Sequence, residues 1–394
     1  MCSSDLGTQI NDFSSRDGYA PYSQQWNVNV QREAAWNIFV TAAWVGNRVI
    51  HLPSQLNVPN QLDPKYFALG TDLGLSFADG SAQAKGYQLP YANFVNDFGG
   101  SATVGQSLTP YPQYSYIYNN FEGSGTTYYQ GFQVQAEKRF TNGLSFLAGY
   151  TLSKLWDNTS SGFGSFTAAA LNKYNQKPEW VVSGANETNT LKMSGTYELP
   201  IGPGKAHFNN HGVTGQLLGG WQVSWILDYE AGEPLCGCNN GGIQESGNPY
   251  PGQPSGAPNV TLRPDRVSNV GLNTASYNRA RDFFVGKAGS AQMFNPASFA
   301  LTPTQYILGN AQRNYPDLRG PAFYNENANV IKHFYLGERF RGILQMDYFN
   351  LFNRTQFYTP DPNKSNSTFG QVIQKSAMNT PQNRQGQIMI RLEF

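Results

Sequence analysis

Apolar and polar side chains alternate over long segments of this chain, and that alternation limits the possible folds more than any other feature. It is clearest in residues 387–394, where every second residue is apolar. These apolar residues are Ile388, Ile390, Leu392 and Phe394. Successive side chains of a β-strand point to opposite faces. The segment therefore predicts a strand with one apolar face and one mostly polar face.

The same period of two recurs upstream, so that the chain contains about nine predicted strands in all. The other segments are 24–32, 38–48, 128–140, 144–153, 191–199, 221–230, 322–336 and 344–348. Asn142-Gly143 lies between two of them, and an Asn-Gly pair is a strong β-hairpin signal. Segment 322–336 is the least regular, because Lys332 interrupts its apolar positions.

The connections between these segments alternate between short turns and long polar stretches. The long stretches cover about 47–126, 158–187, 233–321 and 353–383. Tight turns at one end and extended loops at the other are typical of a transmembrane β-barrel. The predicted strands, at roughly 10–14 residues, are long enough to cross a bilayer at a tilt. We therefore predict an all-β fold, an antiparallel transmembrane β-barrel whose apolar face contacts outer-membrane lipid.

The number of strands and the N-terminal residues suggest that the barrel is partial. Bacterial single-chain barrels have an even number of strands, so an odd count implies a further strand upstream. Residues 1–22 show neither the basic region nor the apolar region of a signal peptide. We expect 1–22 to be a truncated or non-native segment and 23–394 to be a partial barrel, with the four long stretches as external loops.

Composition excludes two other classes of protein. Charged residues make up 13% of the 394 residues and aromatic residues 14%. The net charge of +1 is not the basic footprint of a nucleic-acid-binding protein. The sequence contains no run of about 18 apolar residues, so a transmembrane helix is excluded. A mean hydropathy of −0.47 remains compatible with a barrel, because alternation hides the apolar face from an averaged scale.

Two groups of aromatic residues are candidate functional residues. The first group is predicted near strand ends, where such rings prefer the lipid–water interface, and an aromatic-rich soluble core is the alternative. Its members are Trp26, Trp44, Phe140, Tyr150, Trp221 and Tyr229. The second group is Tyr111, Tyr114 and Tyr116, which could stack on a ligand such as a sugar ring or pack within their own loop.

Two candidate metal sites in the sequence lack ligands that a metal ion would require. His207 and His211 have H-x3-H spacing, but no Cys or carboxylate lies near them in an apparent turn. Segment 361–372 begins like a calcium loop, yet Val372 occupies the position that requires Glu. We predict no metal and no cofactor.

The cysteines and the absence of nucleophile motifs argue against an enzyme. Cys236 and Cys238 lie in a predicted external loop, where a small disulfide or two free thiols are both compatible with the spacing and a metal site is less favoured. No Ser or Cys nucleophile motif is present. We predict that the protein is not an enzyme.

Several motifs, taken in order, resemble the barrel of Oar-like TonB-dependent receptors. Early in the chain they are WNVNVQRE at 26–33, AWVGNR at 43–48, GFQVQAEKRF at 131–140 and GYTLSK at 149–154. They continue with YELP at 197–200, GGWQV at 219–223, FNP at 294–296, RGP at 319–321 and FNLFN at 349–353. The terminal Phe394, preceded by apolar residues at every second position, resembles the signal that the barrel-assembly machinery reads. The resemblance covers nearly the whole chain.

This resemblance implies the C-terminal part of a barrel of about 22 strands, a plug domain inside it, and transport across the outer membrane energised through TonB. The plug and the TonB-contacting segment would belong to the N-terminal region that this sequence lacks, and the transported substrate is unknown. Two alternatives remain: a complete small outer-membrane channel or adhesin barrel, and a secreted carbohydrate-binding β-protein.

Overall fold

The structure is a computed structural model that describes residues 7, 9–11, 19–54, 56–119, 122–159, 170–210, 212–235, 242–247, 250, 252, 262–269, 277–287, 292–304, 306–336, 340–373 and 383–393. The first strands are β1 Gln9–Asn11, β2 Tyr22–Ala34, β3 Ile38–Ser54, β4 Tyr116–Tyr118, β5 Glu122–Thr141, β6 Leu144–Asp157 and β7 Val181–Val182. They are followed by β8 Asn189–Glu198, β9 Trp221–Glu230, β10 Asp265–Arg266, β11 Phe299–Ala300, β12 Phe323–Leu336, β13 Phe340–Phe349 and β14 Gln385–Glu393.

Helices are short and lie in the connections. The α-helices are α1 Ser81–Ala84, α2 Phe94–Phe98, α3 Val104–Ser107, α4 Val213–Leu218 and α5 Tyr277–Phe284. The 3-10 helices are Ala35–Asn37, Pro64–Gly74, Gly99–Ser101, Lys177–Glu179 and Pro296–Ser298. Among the described residues, no helix has both the length and the apolar character needed to cross a membrane.

Nine long strands form one antiparallel sheet in the order β14-β13-β12-β9-β8-β6-β5-β3-β2. Each strand pairs with its neighbours in the chain, and the two-residue β7 adds to the end of β6. The predicted all-β antiparallel architecture and the count of nine long strands are confirmed. β1 pairs in parallel with β4, so residues 9–11 contact the first long loop.

The register brings the apolar positions of neighbouring strands onto one face of the sheet. Val28 lies opposite Trp44, Trp44 opposite Phe132, and Phe132 opposite Leu152. At the other edge, Met346 of β13 lies opposite Ile388 of β14. A shift of one residue would have moved each strand's apolar set to the opposite face. The strands therefore share one apolar face and one mostly polar face.

Much of the apolar face is exposed. Ile388 is 71% exposed and Ile390 70% exposed, and Val28 and Val30 in β2 are similarly open. The fully buried hydrophobic side chains of the described residues lie instead in the long loops, where most of them belong to three hydrophobic clusters. One cluster contains Phe294, Phe299 and Phe369. Within the described residues, the hydrophobic core is therefore in the loops and not beneath the apolar face of the sheet.

The Asn142-Gly143 turn, at the end of the sheet opposite the long loops, has the backbone conformation that its residues favour. Asn142 and Gly143 have φ of 53° and 80°, which fits the type I′ turn that an Asn-Gly pair favours. The turn between β2 and β3 is the 3-10 helix Ala35–Asn37, where Trp36 and Asn37 also have positive φ. Residues 337–339, between β12 and β13, lie outside the described residues.

Two predicted boundaries were wrong. The first loop does not begin at about 47, because β3 continues to Ser54 and β5 starts at Glu122, and Ser54 pairs with Glu122. Backbone pairing continues there after side-chain alternation has stopped, through an irregular register near Leu52. The connection between β8 and β9 is not a short turn, since it spans residues 199–220 and contains α4.

Candidate functional site

Three surfaces of the protein are available to lipid or to a ligand: the apolar face of the sheet, its polar face, and the layer that the long loops form. On the apolar face, the register places Trp44 beside Phe132 and Tyr150 beside Val134. Trp26 packs on the same face, where its ring centroid lies 6.3 Å from that of Trp44. Trp221 and Tyr229 of β9 also lie on the apolar face, where they pair with Lys332 and Tyr324 of β12.

Three of the six aromatic residues lie within one residue of a strand end. Phe140 and Trp221 lie at the tight-turn ends of β5 and β9, and Tyr229 lies at the loop end of β9. Trp26 is the fifth residue of β2, and Trp44 and Tyr150 are each the seventh residue of their strands, so these three lie farther from the ends than predicted. A role at the lipid–water interface remains a prediction for all six.

The polar face carries hydrogen-bonded networks of charged and amide side chains. Lys192 of β8 contacts Asp228 at 3.3 Å and Glu230 at 2.8 Å across β9. Asp347 of β13 accepts hydrogen bonds from Gln345 at 2.9 Å and from Gln387 of β14 at 2.9 Å. These networks join neighbouring strands on the polar face of the sheet.

The polar face also carries an open hollow. Its volume is about 710 Å³, and its lining includes Gln135, Glu137, Ser194, Thr196 and Ser224. The register positions of these five residues all belong to the polar face. The polar face therefore presents hydroxyl, amide and charged side chains to a water-accessible space.

The long loops are joined by buried ion pairs near the loop ends of the strands. Glu179 lies 2.7 Å from Arg263, and both side chains are 4% exposed. The Glu179 carboxylate also accepts a hydrogen bond from the Leu171 backbone N–H at 3.1 Å. Arg313 pairs with Asp157 at the end of β6. Burial opposes ionisation of Glu179, but Arg263, its hydrogen bonds and Arg313 outweigh burial and hold the pKa of Glu179 below its ordinary value.

A second set of contacts fastens loop 158–188 to the first loop. Gln61 accepts a hydrogen bond from the Lys173 backbone N–H at 2.6 Å, and the Lys173 ammonium donates to the carbonyl oxygen of Pro59 at 2.6 Å. Tyr250 donates its hydroxyl to the carbonyl oxygen of Leu171. Burial lowers the pKa of Lys173 to about 8. The loops therefore form one layer with its own polar and apolar interior.

The three loop tyrosines have different environments. Tyr111 is exposed, whereas Tyr116 is buried in β4. The carbonyl oxygen of Tyr114 accepts hydrogen bonds from Asn60 and Gln106 at 2.7 and 2.8 Å. Tyr116 packs within its own loop, so the hypothesis of ligand stacking now depends mainly on Tyr111, for which it remains a prediction.

A partly buried ion pair on the apolar face of the sheet was not predicted from the sequence. Glu326 of β12 lies opposite Leu227, at an apolar-face position, and Arg354 contacts it at 3.1 Å. The guanidinium of Arg354 also lies within 6 Å of the ring centroids of Tyr277 and Tyr324. A Glu at an outward position of an irregular strand was the available signal, but its partner comes from a loop that has no periodic pattern.

Several predicted residues fall outside the described part of the chain, namely Phe394, Cys236, Cys238 and His211. Within the described residues, no group of three or more His, Cys, Asp or Glu side chains is placed to hold a metal ion.

An antiparallel sheet of long strands with an exposed apolar face, a polar face and long loops at one end is typical of a transmembrane β-barrel protein. The family model described as "Outer membrane beta barrel domain" matches residues 3–387. The chain therefore belongs to the outer membrane β-barrel domain family, and its location is the bacterial outer membrane. No curated protein matches the chain.

Solved structures with some similarity include three outer-membrane proteins. The ferric-catecholate import receptor Fiu from Escherichia coli K12 is 8% identical, with a TM-score of 0.37 over 95% of this chain and 27% of that one. The outer membrane transporter YddB from Escherichia coli is 6% identical, with a TM-score of 0.39 over 95% and 32% of the two chains. The siderophore receptor PiuA from Acinetobacter baumannii is 11% identical, with a TM-score of 0.34 over 94% and 28%. The chain spans about a third or less of the length of each.

Proposed function

We propose that this chain forms the C-terminal part of the barrel of an Oar-like TonB-dependent receptor, which moves a substrate across the outer membrane with energy delivered through TonB. In this proposal the nine long strands between Tyr22 and Glu393 provide part of the barrel wall. The ordered motifs that resemble that family support the assignment, and the family match supports the membrane location.

The observation that carries the proposal is the presence of two open edges in the sheet. Within the described residues, β2 has β3 as its one strand partner and β14 has β13. Nearly every residue of both edge strands is exposed. An open edge cannot be exposed to lipid, because its backbone N–H and C=O groups would lose their hydrogen bonds. Both edges therefore need partner strands, which a larger barrel supplies.

The proposed division of roles follows the two faces and the loop layer. The polar face, with Lys192 and Asp347, lines half of a lumen that a plug fills. The loop layer forms the external mouth, where Tyr111 is available to a ligand. TonB acts through the N-terminal region of the whole protein, and the barrel-assembly machinery reads the strand that carries Ile388, Ile390, Leu392 and Phe394. No enzymatic step is part of this function.

The first experiment asks which strands occupy the open edges. Val30→Cys in β2 and Ile390→Cys in β14 are introduced together, in the whole protein from the source genome with the native cysteines changed to serine. The proposal predicts no disulfide between them after oxidation. The matched control pairs Met346→Cys with Ile388→Cys, which lie opposite each other in β13 and β14 and are expected to cross-link.

A β2–β14 disulfide in the whole protein would mean that the two edges close on each other, and the chain would then be a complete small channel or adhesin barrel. A second measurement tests the energy source: the purified periplasmic domain of TonB is titrated onto the whole protein. Saturable binding that is lost when the protein's N-terminal segment is removed supports the proposal. Absence of binding would contradict TonB coupling.

A further inference from the structure

The connection between β8 and β9 is fastened to the outward face of the barrel wall. Lys332 of β12 points to that face, since it lies opposite Trp221 and Leu344. Its ammonium donates hydrogen bonds to the carbonyl oxygens of Gln216 and Gly219, at the end of α4. The indole N–H of Trp221 donates to the carbonyl oxygen of Leu217 at 3.2 Å. These three contacts hold α4 outside the barrel.

The exposed side of α4 is apolar. Val213 is 76% exposed and Leu217 65% exposed, and residues four apart lie on the same side of a helix. Leu218 and the nearby Phe208 are exposed as well. Gly215 faces the opposite way and is buried against the backbone of Asn210. A connection exposed to water would normally carry polar residues at such positions.

The position of α4 identifies the surface that covers it. It lies at the tight-turn end of the barrel, which faces the periplasm in proteins of this architecture. It contacts β12 through Lys332, on the apolar face that the proposed function assigns to lipid. Trp221 lies at the same end, where an amphipathic ring is favoured at the interface.

We propose that residues 212–218 form a membrane-interface anchor, which inserts Val213, Leu217 and Leu218 into the phospholipid leaflet on the periplasmic side. Short amphipathic segments bind this boundary by burying their apolar face among headgroups and upper acyl chains. Lys332 holds the anchor in place: its charge is kept from lipid by the carbonyl groups at the helix end, where cations are favoured. The inference holds whether or not the barrel is energised by TonB.

The test uses an environment-sensitive fluorescent label at Leu217→Cys, in the whole protein without its native cysteines. The protein is reconstituted in phosphatidylcholine–phosphatidylglycerol vesicles, with and without brominated acyl chains as quenchers. We expect blue-shifted emission and loss of fluorescence in brominated lipid. Ile388→Cys is the lipid-facing control, and Ala84→Cys in the exposed loop helix α1 is the water-facing control.

Each outcome decides a different question. A Leu217 label that resembles the Ala84 label, while the Ile388 label is quenched, would overturn the anchor and leave the barrel intact. A blue-shifted Leu217 label that brominated lipid does not quench, together with a Leu217→Cys disulfide between two molecules, would show that a second copy covers α4. An unquenched Ile388 label would contradict the lipid-facing wall itself.

Discussion

Removing the Arg263 charge is predicted to release the loop layer while leaving the barrel wall intact. Arg263→Met leaves Glu179 buried, at 4% exposure, without its 2.7 Å partner. Breaking a buried ion pair by removing one member costs about 3–5 kcal/mol. Arg313 supplies some of the compensation, so we expect the lower part of that range. The loops containing these residues should then open about a hundredfold more often.

The assay is hydrogen exchange of backbone amides, read by mass spectrometry, on the protein in detergent micelles. Exchange should increase in residues 170–182 and 262–269 and stay unchanged in β12 and β13. The matched control is the double variant Arg263→Met with Glu179→Leu, because replacing both members of a buried pair by apolar residues is often close to neutral. Equal protection in the single variant and the native protein would contradict a stabilising role for the Arg263–Glu179 ion pair.

The same ion pair gives the loop layer a pH dependence with a defined sign. The pKa of Glu179 is lower in the folded protein than its ordinary value. Its stabilising contribution is therefore complete above the ordinary pKa and is lost as the pH falls through the folded value. Protection of the loops from hydrogen exchange should decline in acid in the native protein. This decline should be smaller in the double variant, because it lacks the Glu179 carboxylate.

Three further predictions follow from the two faces and the loop contacts. Ile390→Arg on the apolar face should destabilise the inserted barrel by about 2–4 kcal/mol, whereas Met389→Arg on the opposite face should have little effect; folding titrations into lipid vesicles compare them. In Gly46→Val, the new side chain would overlap the Trp26 ring and should lower the free energy of unfolding by about 1–3 kcal/mol. The temperature at which the folded band is lost in semi-native electrophoresis should therefore fall. Burial lowers the pKa of Lys173 to about 8. The free energy of opening its loop, measured by hydrogen exchange, should therefore rise by roughly 1 kcal/mol after screening as the pH increases from about 8 to 10.5. Lys173→Met should remove this rise.

The sheet could be predicted from the sequence because its signal is local. A strand shows its two faces through a period of two, so the alternation of β14 is visible without knowledge of any other strand. The Asn142-Gly143 turn is equally local. Strand ends were harder to predict, because β3 extends to Ser54 by backbone pairing with β5, and backbone pairing leaves no side-chain pattern.

The loop layer could not be predicted because its contacts join residues far apart in sequence. Arg263 and Glu179 are 84 positions apart, and Arg313 and Asp157 are 156 apart. No periodic pattern connects such pairs, and each member looks like an ordinary surface charge when it is taken alone. Lys332 is a similar case: it breaks the alternation of β12 in the sequence, and the structure shows that it binds the carbonyl oxygens at the end of α4.

The most direct test of the account is a nitroxide scan along β14, from residue 387 to 392, in the whole protein reconstituted in lipid vesicles. Collision with oxygen, which concentrates in the bilayer, and with a water-soluble nickel chelate is measured at each position by electron paramagnetic resonance. If the apolar face of β14 meets lipid, accessibility should have a period of two, in which labels at 388, 390 and 392 collide with oxygen and labels at 387, 389 and 391 collide with the nickel chelate. Uniform accessibility, or the opposite phase, would contradict an apolar face that meets lipid and a polar face that meets the lumen.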